Sequence, residues 1–153
     1  MVRVYLGIGS NLGDRKSYLE TARKFVEEIP QTRFLRSSSV RQTDPVGGPA
    51  QGKFLNAVWE IETELSPREL KDRLLGIEIQ LGRKRSEPNA PREIDLDILF
   101  YGDQIVKEER LQIPHPRLHE RRFVLEPLCE LAPELPHPVL KKTMKEFLKI
   151  VVR

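Results

Sequence analysis

In the segment Ile94-Asp95-Leu96-Asp97-Ile98-Leu99-Phe100, apolar and acidic side chains alternate from the first residue to Ile98. Successive side chains of a β-strand point to opposite faces, so this pattern predicts a strand whose apolar face is formed by residues 94, 96, 98 and 100. Asp95 and Asp97 then share the opposite face, about 7 Å apart.

This strand ends a series of predicted elements in the order β-α-β-β-α-β. The order predicts an α+β fold with a ferredoxin-like βαββαβ core, in which helices pack against an antiparallel sheet. The second helix begins at a capping box formed by Ser66 and Glu69, with Pro67 at its first position, and Gly82 is a natural stop. The predicted strands cover residues 2–8, 32–43, 54–63 and 94–100, and the predicted helices cover residues 18–29 and 67–81.

The C-terminal part of the chain is rich in proline. Residues 104–113 favour a short hairpin, and the six prolines between positions 114 and 138 predict a tail that wraps the surface with short helical pieces. Thr143 and Glu146 repeat the capping-box spacing before a last helix. We expect residues 1–153 to form one domain.

Composition and charge exclude several classes of protein. Lys and Arg number 26 and Asp and Glu 23, for a net charge of +3, which is weak support for a nucleic-acid footprint. The single cysteine, Cys129, excludes an internal disulfide and a zinc site with several cysteines. No apolar run is long enough for a membrane span, and the first residues do not resemble a signal peptide. We therefore expect a cytoplasmic protein that binds neither membranes nor nucleic acid.

The acidic pair is the sharpest chemical feature of the sequence. Asp is depleted in strands, and like charges at neighbouring positions of one face repel, so a compensating cation is expected beside Asp95 and Asp97. Mg²⁺ takes one or two carboxylates and completes its shell with substrate phosphates and water. On the strand pattern alone, a solvent-exposed pair balanced by arginines remains equally open. A glycosidase pair also fits the spacing, but nothing else in the sequence supports it.

A basic loop precedes the acidic pair. Arg83, Lys84, Arg85 and Arg92 lie on it, and arginine binds phosphate oxygens through two parallel hydrogen bonds. Carboxylates that hold a metal and arginines on a loop are the groups that phosphoryl transfer needs. Taken alone, the run at 83–85 is more typical of a solvated surface. The sequence has no P-loop motif.

A second pair of side chains is placed on the face opposite the expected core. Phe54 and Asn56 share that face, where an aromatic ring can stack on a planar heterocycle and an amide can bind its polar edge. A half-exposed Phe and an Asn near a turn is the simpler interpretation of these two residues alone. Further along the chain, His115, Arg121 and Phe123 add one imidazole, one guanidinium and one ring.

The segment Pro91-Arg92-x-x-Asp95-Leu96-Asp97-Ile98-Leu99 resembles the signature of the 6-hydroxymethyl-7,8-dihydropterin pyrophosphokinases, enzymes of folate biosynthesis. Other segments match this family in order and spacing over most of the chain. They are Gly9-Ser10-Asn11, Thr43-x-Pro45-x-Gly47, Phe54-Leu55-Asn56, Glu78 with Gly82-Arg83, Arg110-Leu111, Pro114-His115 and Arg121-x-Phe123.

The resemblance implies a reaction. ATP transfers its terminal pyrophosphate to the hydroxymethyl oxygen of the pterin, and AMP is released. The two small-molecule substrates are then ATP and 6-hydroxymethyl-7,8-dihydropterin, and the enzyme is a diphosphotransferase that acts as a monomer. By similarity, Asp95 and Asp97 hold two Mg²⁺ ions that bridge the triphosphate, and the loop residues Arg83 and Arg92 steady the developing charge.

The resemblance also implies which residues bind each substrate. Two aromatic rings sandwich the pterin, and an amide and nearby backbone bind its polar edge. The implied pterin-binding residues are Thr43, Pro45, Val46, Phe54, Asn56, Asp95 and Phe123. The implied nucleotide-binding residues are Glu78, Arg83, Arg85, Arg92, Ile98, Arg110, His115 and Arg121.

Three positions depart from the pattern of the family, and at one of them a tyrosine also occurs where this chain has Phe54. Position 89, a tryptophan in some members, is Asn89, and position 116, often a tyrosine, is Pro116. These differences concern loop closure and nucleotide contacts rather than the reaction.

Two other functions remain as alternatives. A ferredoxin-like RNA-binding module would use its sheet aromatics, but the expected RNP1 run is absent. A small metal-dependent nucleotide hydrolase would differ from the pyrophosphokinase only in its acceptor.

Overall fold

The computed structural model describes residues 1–10, 15–43, 54–82 and 94–152. The strands are β1 (Val2–Ser10), β2 (Thr32–Ser37), β3 (Arg41–Thr43), β4 (Phe54–Thr63), β5 (Asp95–Tyr101), β6 (Val106–Glu108) and β7 (Leu111–Ile113). The helices are α1 (Arg15–Glu27), α2 (Pro67–Gln80), α3 (Arg122–Leu131) and α4 (Met144–Val151), and a single 3₁₀ turn covers Leu118–Glu120. In the part of the chain so described, no helix has the length and apolar character that a membrane crossing requires.

The main sheet is antiparallel and has the order β2-β4-β1-β5, with β3 pairing to β4 beyond β2. This confirms the α+β class and the antiparallel sheet. The predicted single strand over 32–43 is two strands, because the chain leaves the ladder at Ser38. There the backbone N–H of Ser38 donates to the carbonyl of Val58 at 2.9 Å, and the Ser38 hydroxyl, rather than a carbonyl, accepts from the Val58 N–H at 2.8 Å.

Both faces of the sheet bury apolar side chains. On one face, Leu6 and Ile61 pack with residues of α1 and α2 such as Val26 and Leu74. On the other face, the C-terminal helices form a second core, which contains Tyr5, Val58, Phe100, Leu118, Leu125, Leu128, Met144 and Phe147. The prediction that the C-terminal tail only wraps the surface is therefore wrong, because α3 and α4 are core helices that cover part of the second face.

Phe100 does not lie on the face that the strand pattern predicts. In the pairing with β1, Tyr5 is opposite Phe100 and Leu6 is opposite Ile98, so Leu99 is an extra residue in β5. Such a β-bulge shifts the alternation by one position. Phe100 consequently packs in the second core, and the prediction that it shares a face with Ile98 is wrong.

The predicted helix boundaries at α2 are confirmed. Ser66 is the N-cap, its hydroxyl accepts from the Glu69 N–H at 3.2 Å, and the Glu69 carboxylate accepts from the Ser66 N–H at 3.1 Å. Gly82, just past the end of the helix, has φ +107°, a conformation that favours glycine.

Glu78 on α2 anchors the edge strand β5. The side chain is 4% exposed, and its Oε2 accepts a hydrogen bond from the backbone N–H of Leu96 at 2.7 Å. Since β5 has no neighbouring strand on that side within the described residues, the carboxylate takes the place of a partner strand. Leu96 stands between Asp95 and Asp97, so this bond fixes the backbone that presents the acidic pair.

Replacing Glu78 with Leu removes the carboxylate oxygen that accepts the hydrogen bond from the buried backbone N–H of Leu96. We expect the free energy of unfolding to fall by about 2 kcal/mol, and by less in Glu78→Gln, which keeps an acceptor oxygen. Urea denaturation measures the loss, and hydrogen exchange of the Leu96 amide locates it. An exchange rate for that amide that is unchanged in Glu78→Leu would contradict the assignment.

His137 stabilises the loop before α4 through hydrogen bonds to its backbone. It is 5% exposed, and its Nδ1 accepts hydrogen bonds from the backbone N–H groups of Val139 at 3.1 Å and Leu140 at 3.0 Å. Its ring also lies against those of His119 and Phe147. Burial lowers the pKa of His137, and the neighbouring His119 lowers it further. The imidazole is therefore held neutral, with Nδ1 as an acceptor.

This arrangement predicts a loss of stability in mild acid. Because the folded pKa of His137 lies below the ordinary 6.5, the unfolded chain takes up the proton first as the pH falls. The neutral imidazole contributes fully to the free energy of unfolding above about pH 6.5. As the pH falls toward the folded pKa, this contribution declines by at most about 1.4 kcal/mol per pH unit. Urea denaturation between pH 7.5 and 5.5 measures it. His137→Asn keeps an acceptor near Nδ1 but does not titrate, so a slope as steep as that of the unaltered protein would contradict this account.

Candidate active site

The site lies on the part of the second sheet face that α3 and α4 leave open. Gly9 of β1 pairs with Asn56 of β4 on one side and with Asp95 of β5 on the other, and Gly7 is opposite Asp97. Because these glycines have no side chains, the middle strand is a bare floor between an amide and two carboxylates. A Cβ on Gly7 would lie only 3.1 Å from the Leu99 Cδ2, which is tighter than ordinary contact, and a Cβ on Gly9 would touch the Asn56 Oδ1 at 3.4 Å.

A cavity of about 200 Å³ stands on this floor. Asn56, Asp95 and Asp97 line it, as do Gly7 and Gly9, and its apolar wall is formed by Val58, Leu99 and Val124. The prediction that Asp95 and Asp97 turn away from the helix-covered core is confirmed, since both are half-buried and line the cavity. A concave apolar site with a few convergent polar groups is the usual form of a small-molecule site.

The acidic pair has the donor chemistry of a magnesium site. Two carboxylates on adjacent same-face positions offer hard oxygen ligands to one open cavity. Among the described residues, no cluster of three or more His, Cys, Asp or Glu side chains could hold a metal by itself. This set fits Mg²⁺, which keeps waters and substrate phosphates in its shell, better than a metal held wholly by protein.

His115, Arg121 and Phe123 form a polar and aromatic rim of the same cavity. The backbone N–H of His115 donates to the carbonyl of Leu99 at 3.1 Å, so the bulged residue of β5 fixes the backbone at His115, and the ring Nδ1 accepts from the backbone N–H of Arg117 at 3.4 Å. The Arg121 guanidinium lies 5.6 Å from the centre of the Phe123 ring, a distance at which a cation and a ring attract. The rim therefore offers positive charge and an aromatic face together.

The pKa of His115 reports the charges around it. Burial lowers the pKa, the Asp97 carboxylate opposes this effect, and the positive charges of Arg121, Lys71 and Arg117 lower the pKa further. A neutral imidazole among several cations is the state that results at neutral pH. Such a cluster of cations favours a bound anion.

The structure places five other residues implied by the family resemblance at separate points of the fold. Thr43 and Phe54 pair with each other where β3 and β4 meet, next to Asn56. The Ile98 side chain is buried in the first core, and Arg110 is exposed in the turn between β6 and β7. The Glu78 carboxylate binds the Leu96 N–H.

The five remaining predicted residues lie outside the described parts of the chain. They are Pro45, Val46, Arg83, Arg85 and Arg92.

Sequence reasoning missed the apolar wall. Val58 follows Asn56 by two positions, so strand alternation could have placed it on the same face. Leu99 could not be found in this way, because the bulge turns it toward the cavity. Val124 comes from α3, and only tertiary packing brings that helix to the sheet.

Comparison with known proteins adds the evolutionary context. The sequence model of 7,8-dihydro-6-hydroxymethylpterin-pyrophosphokinase matches residues 5–133. The 2-amino-4-hydroxy-6-hydroxymethyldihydropteridine pyrophosphokinase of Aquifex aeolicus is 42% identical over 147 residues, which cover 96% of this chain and 91% of that protein. The protein of the same name from Haemophilus influenzae is 40% identical over 150 residues, which cover 96% and 94%.

A solved structure supports the fold. The wild-type HPPK-DHPS of Plasmodium falciparum superposes with a TM-score of 0.79 over 99% of this chain, at 16% identity. The match covers 45% of that longer chain, so the likeness shows the fold of this domain alone. From the family match and the identity to its relatives, the chain belongs to the 7,8-dihydro-6-hydroxymethylpterin-pyrophosphokinase family.

Proposed function

We propose that the protein transfers pyrophosphate from ATP to the hydroxymethyl group of 6-hydroxymethyl-7,8-dihydropterin, a step of folate biosynthesis, and releases AMP. The observation that carries this proposal is the acidic pair, which faces one cavity together with an amide, an aromatic ring, an imidazole and a guanidinium group. Membership of the pyrophosphokinase family agrees with it.

The pterin fits the inner part of the cavity. The Asn56 amide has both a donor and an acceptor for the polar edge of the heterocycle, and the Phe123 ring offers a face for stacking. Phe54 and Thr43 at the adjoining ends of β4 and β3, with Pro45 and Val46 beyond them, complete the proposed pterin-binding set. Asp95 is the carboxylate in the same row as Asn56, so it is the nearer of the pair to this subsite.

The triphosphate fits beside the acidic pair. Asp95 and Asp97 would hold Mg²⁺, two ions in our proposal, and the metal would neutralise phosphate charge and orient the attacking hydroxyl when bound. His115 and Arg121 hold the polar rim on the same side. Arg83, Arg85 and Arg92 would bring further guanidinium groups to the phosphates, where Arg83 and Arg92 stabilise the developing charge.

The nucleoside fits the open edge of β5. The Leu96 N–H points to that edge and binds Glu78, so the backbone of Ile98, two residues further, presents its polar groups to the same edge. Arg110 lies in the hairpin that follows this strand. Glu78, Ile98 and Arg110 are therefore the proposed residues on the nucleoside side.

The alternatives differ in what they predict for this face. An RNA-binding module would place two carboxylates against a phosphate backbone, which they repel unless metal intervenes. A hydrolase would use water as the acceptor, and the amide and ring beside the acidic pair would then have no ligand to bind. We further propose that the chain acts as one domain, as a monomer, and in the cytoplasm.

The reaction is tested by its products. Incubation with ATP, Mg²⁺ and the hydroxymethyl pterin should give AMP and the pterin diphosphate in equal amounts, and no AMP should form without the pterin. Separation of nucleotides and pterins by chromatography measures both. Formation of ADP, or of inorganic phosphate without a pterin product, would reject pyrophosphate transfer.

The acidic pair is tested by Asp97→Asn, which keeps the shape of the side chain but removes the charge that holds the metal. We expect kcat to fall by about 10³-fold or more, because the lost interaction stabilises charge at the reacting phosphates. The matched control is Asp103→Asn, since Asp103 is exposed in the turn just after β5. Equal rates for the two variants at saturating Mg²⁺ would contradict the metal assignment.

A further inference from the structure

Lys71 lies on the same stripe of α2 as Glu78. The two positions are seven residues apart, which is two helical turns or about 10.5 Å along the axis. Both flank the buried stripe of Leu70, Leu74 and Ile77, and the Glu78 carboxylate touches β5 at Leu96. Lys71 therefore faces the same strand edge, two turns further toward the beginning of α2.

The direction of α2 brings Lys71 toward the rim of the cavity. Strands β4 and β5 both run antiparallel to β1, so α2, which connects them, runs back in the direction opposite to β5. With Glu78 at the level of Leu96, Lys71 reaches the level of Leu99, three residues or about 10 Å along the strand. The carbonyl of Leu99 accepts the hydrogen bond from the backbone N–H of His115.

The electrostatics agree with this position. The Lys71 charge is one of those that lower the pKa of His115, so the ammonium group acts on that imidazole. The side chain is half-buried, and no carboxylate pairs with it in residues 1–10, 15–43, 54–82 and 94–152. A half-buried cation that pairs with no carboxylate of these residues, and that acts on His115 together with Arg121 and Arg117, favours a bound anion.

We propose that Lys71 is a further positioning residue for the nucleotide, whose ammonium group binds a phosphate oxygen of ATP at the β5 edge of the site. This inference rests on the proposed function and deepens it. Arg121 and His115 approach the phosphates from the sheet face, whereas Lys71 approaches from α2. The triphosphate is then held between two elements of the fold, and its position relative to Asp95 and Asp97 is fixed from both sides.

The test uses direct binding as well as turnover. Lys71→Met keeps the length of the side chain and removes the charge, and Lys71→Arg keeps a charge. Arg73→Met removes one charge from the same helix about 200° away and is the matched control. Calorimetric titration with a non-hydrolysable ATP analogue and Mg²⁺, and separately with adenosine, measures the affinities.

We expect Lys71→Met to weaken the ATP analogue about tenfold and to leave adenosine unchanged, whereas Lys71→Arg and Arg73→Met stay within about twofold of the unaltered protein. The KM for ATP should rise by a similar factor, with the KM for the pterin unchanged. The pKa of His115, followed by NMR, should rise in Lys71→Met, which a merely structural change in α2 would not produce.

Three outcomes would overturn the proposal. They are an unchanged affinity of Lys71→Met for the ATP analogue, an equal loss for adenosine, and an equal loss in Arg73→Met. Failure of the proposed reaction is a separate result, because AMP formation by the unaltered protein decides it.

Discussion

A bare stretch in the middle of the sheet is the constraint on which this site depends. Gly7 and Gly9 lie between β4 and β5, where a side chain at Gly9 would stand between Asn56 and Asp95 and a side chain at Gly7 would press against Leu99. The opposite face of the same strand has to remain apolar, because Leu6 and Ile8 pack against the helices there. One strand thus supports a core on one face and leaves a cavity on the other.

The second core decides where that cavity ends. Helices α3 and α4 bury Phe100, Leu125 and Phe147 against the sheet, but they cover only part of it. The segment before α3 supplies His115 and Arg121 to the rim, and the first turn of α3 supplies Phe123. The C-terminal third of the chain therefore stabilises the sheet and also delivers an imidazole, a guanidinium group and an aromatic ring to the cavity.

The position of β5 at the edge of the sheet leaves backbone groups that need other partners. An edge strand leaves backbone groups without partners, and the Glu78 carboxylate satisfies one of them at Leu96. Within the described residues no further strand pairs along this edge, which is where we propose that the nucleoside binds. Carboxylates of Asp95 and Asp97 project from one face of β5, and the Arg121 guanidinium lies at the rim of the same cavity. A metal ion and a phosphate group are therefore both favoured in this cavity.

Local patterns in the sequence predicted the sheet strands, the start and end of α2, and the outward face of Asp95, Asp97 and Asn56. These features follow from backbone periodicity and capping, which depend on neighbouring residues only. The face of Phe100, the second core and the cavity wall at Leu99 could not be predicted in this way. They depend on one extra residue in β5 and on helices packed from more than twenty positions away, and only the tertiary structure decides such contacts because they join residues that are distant in the chain.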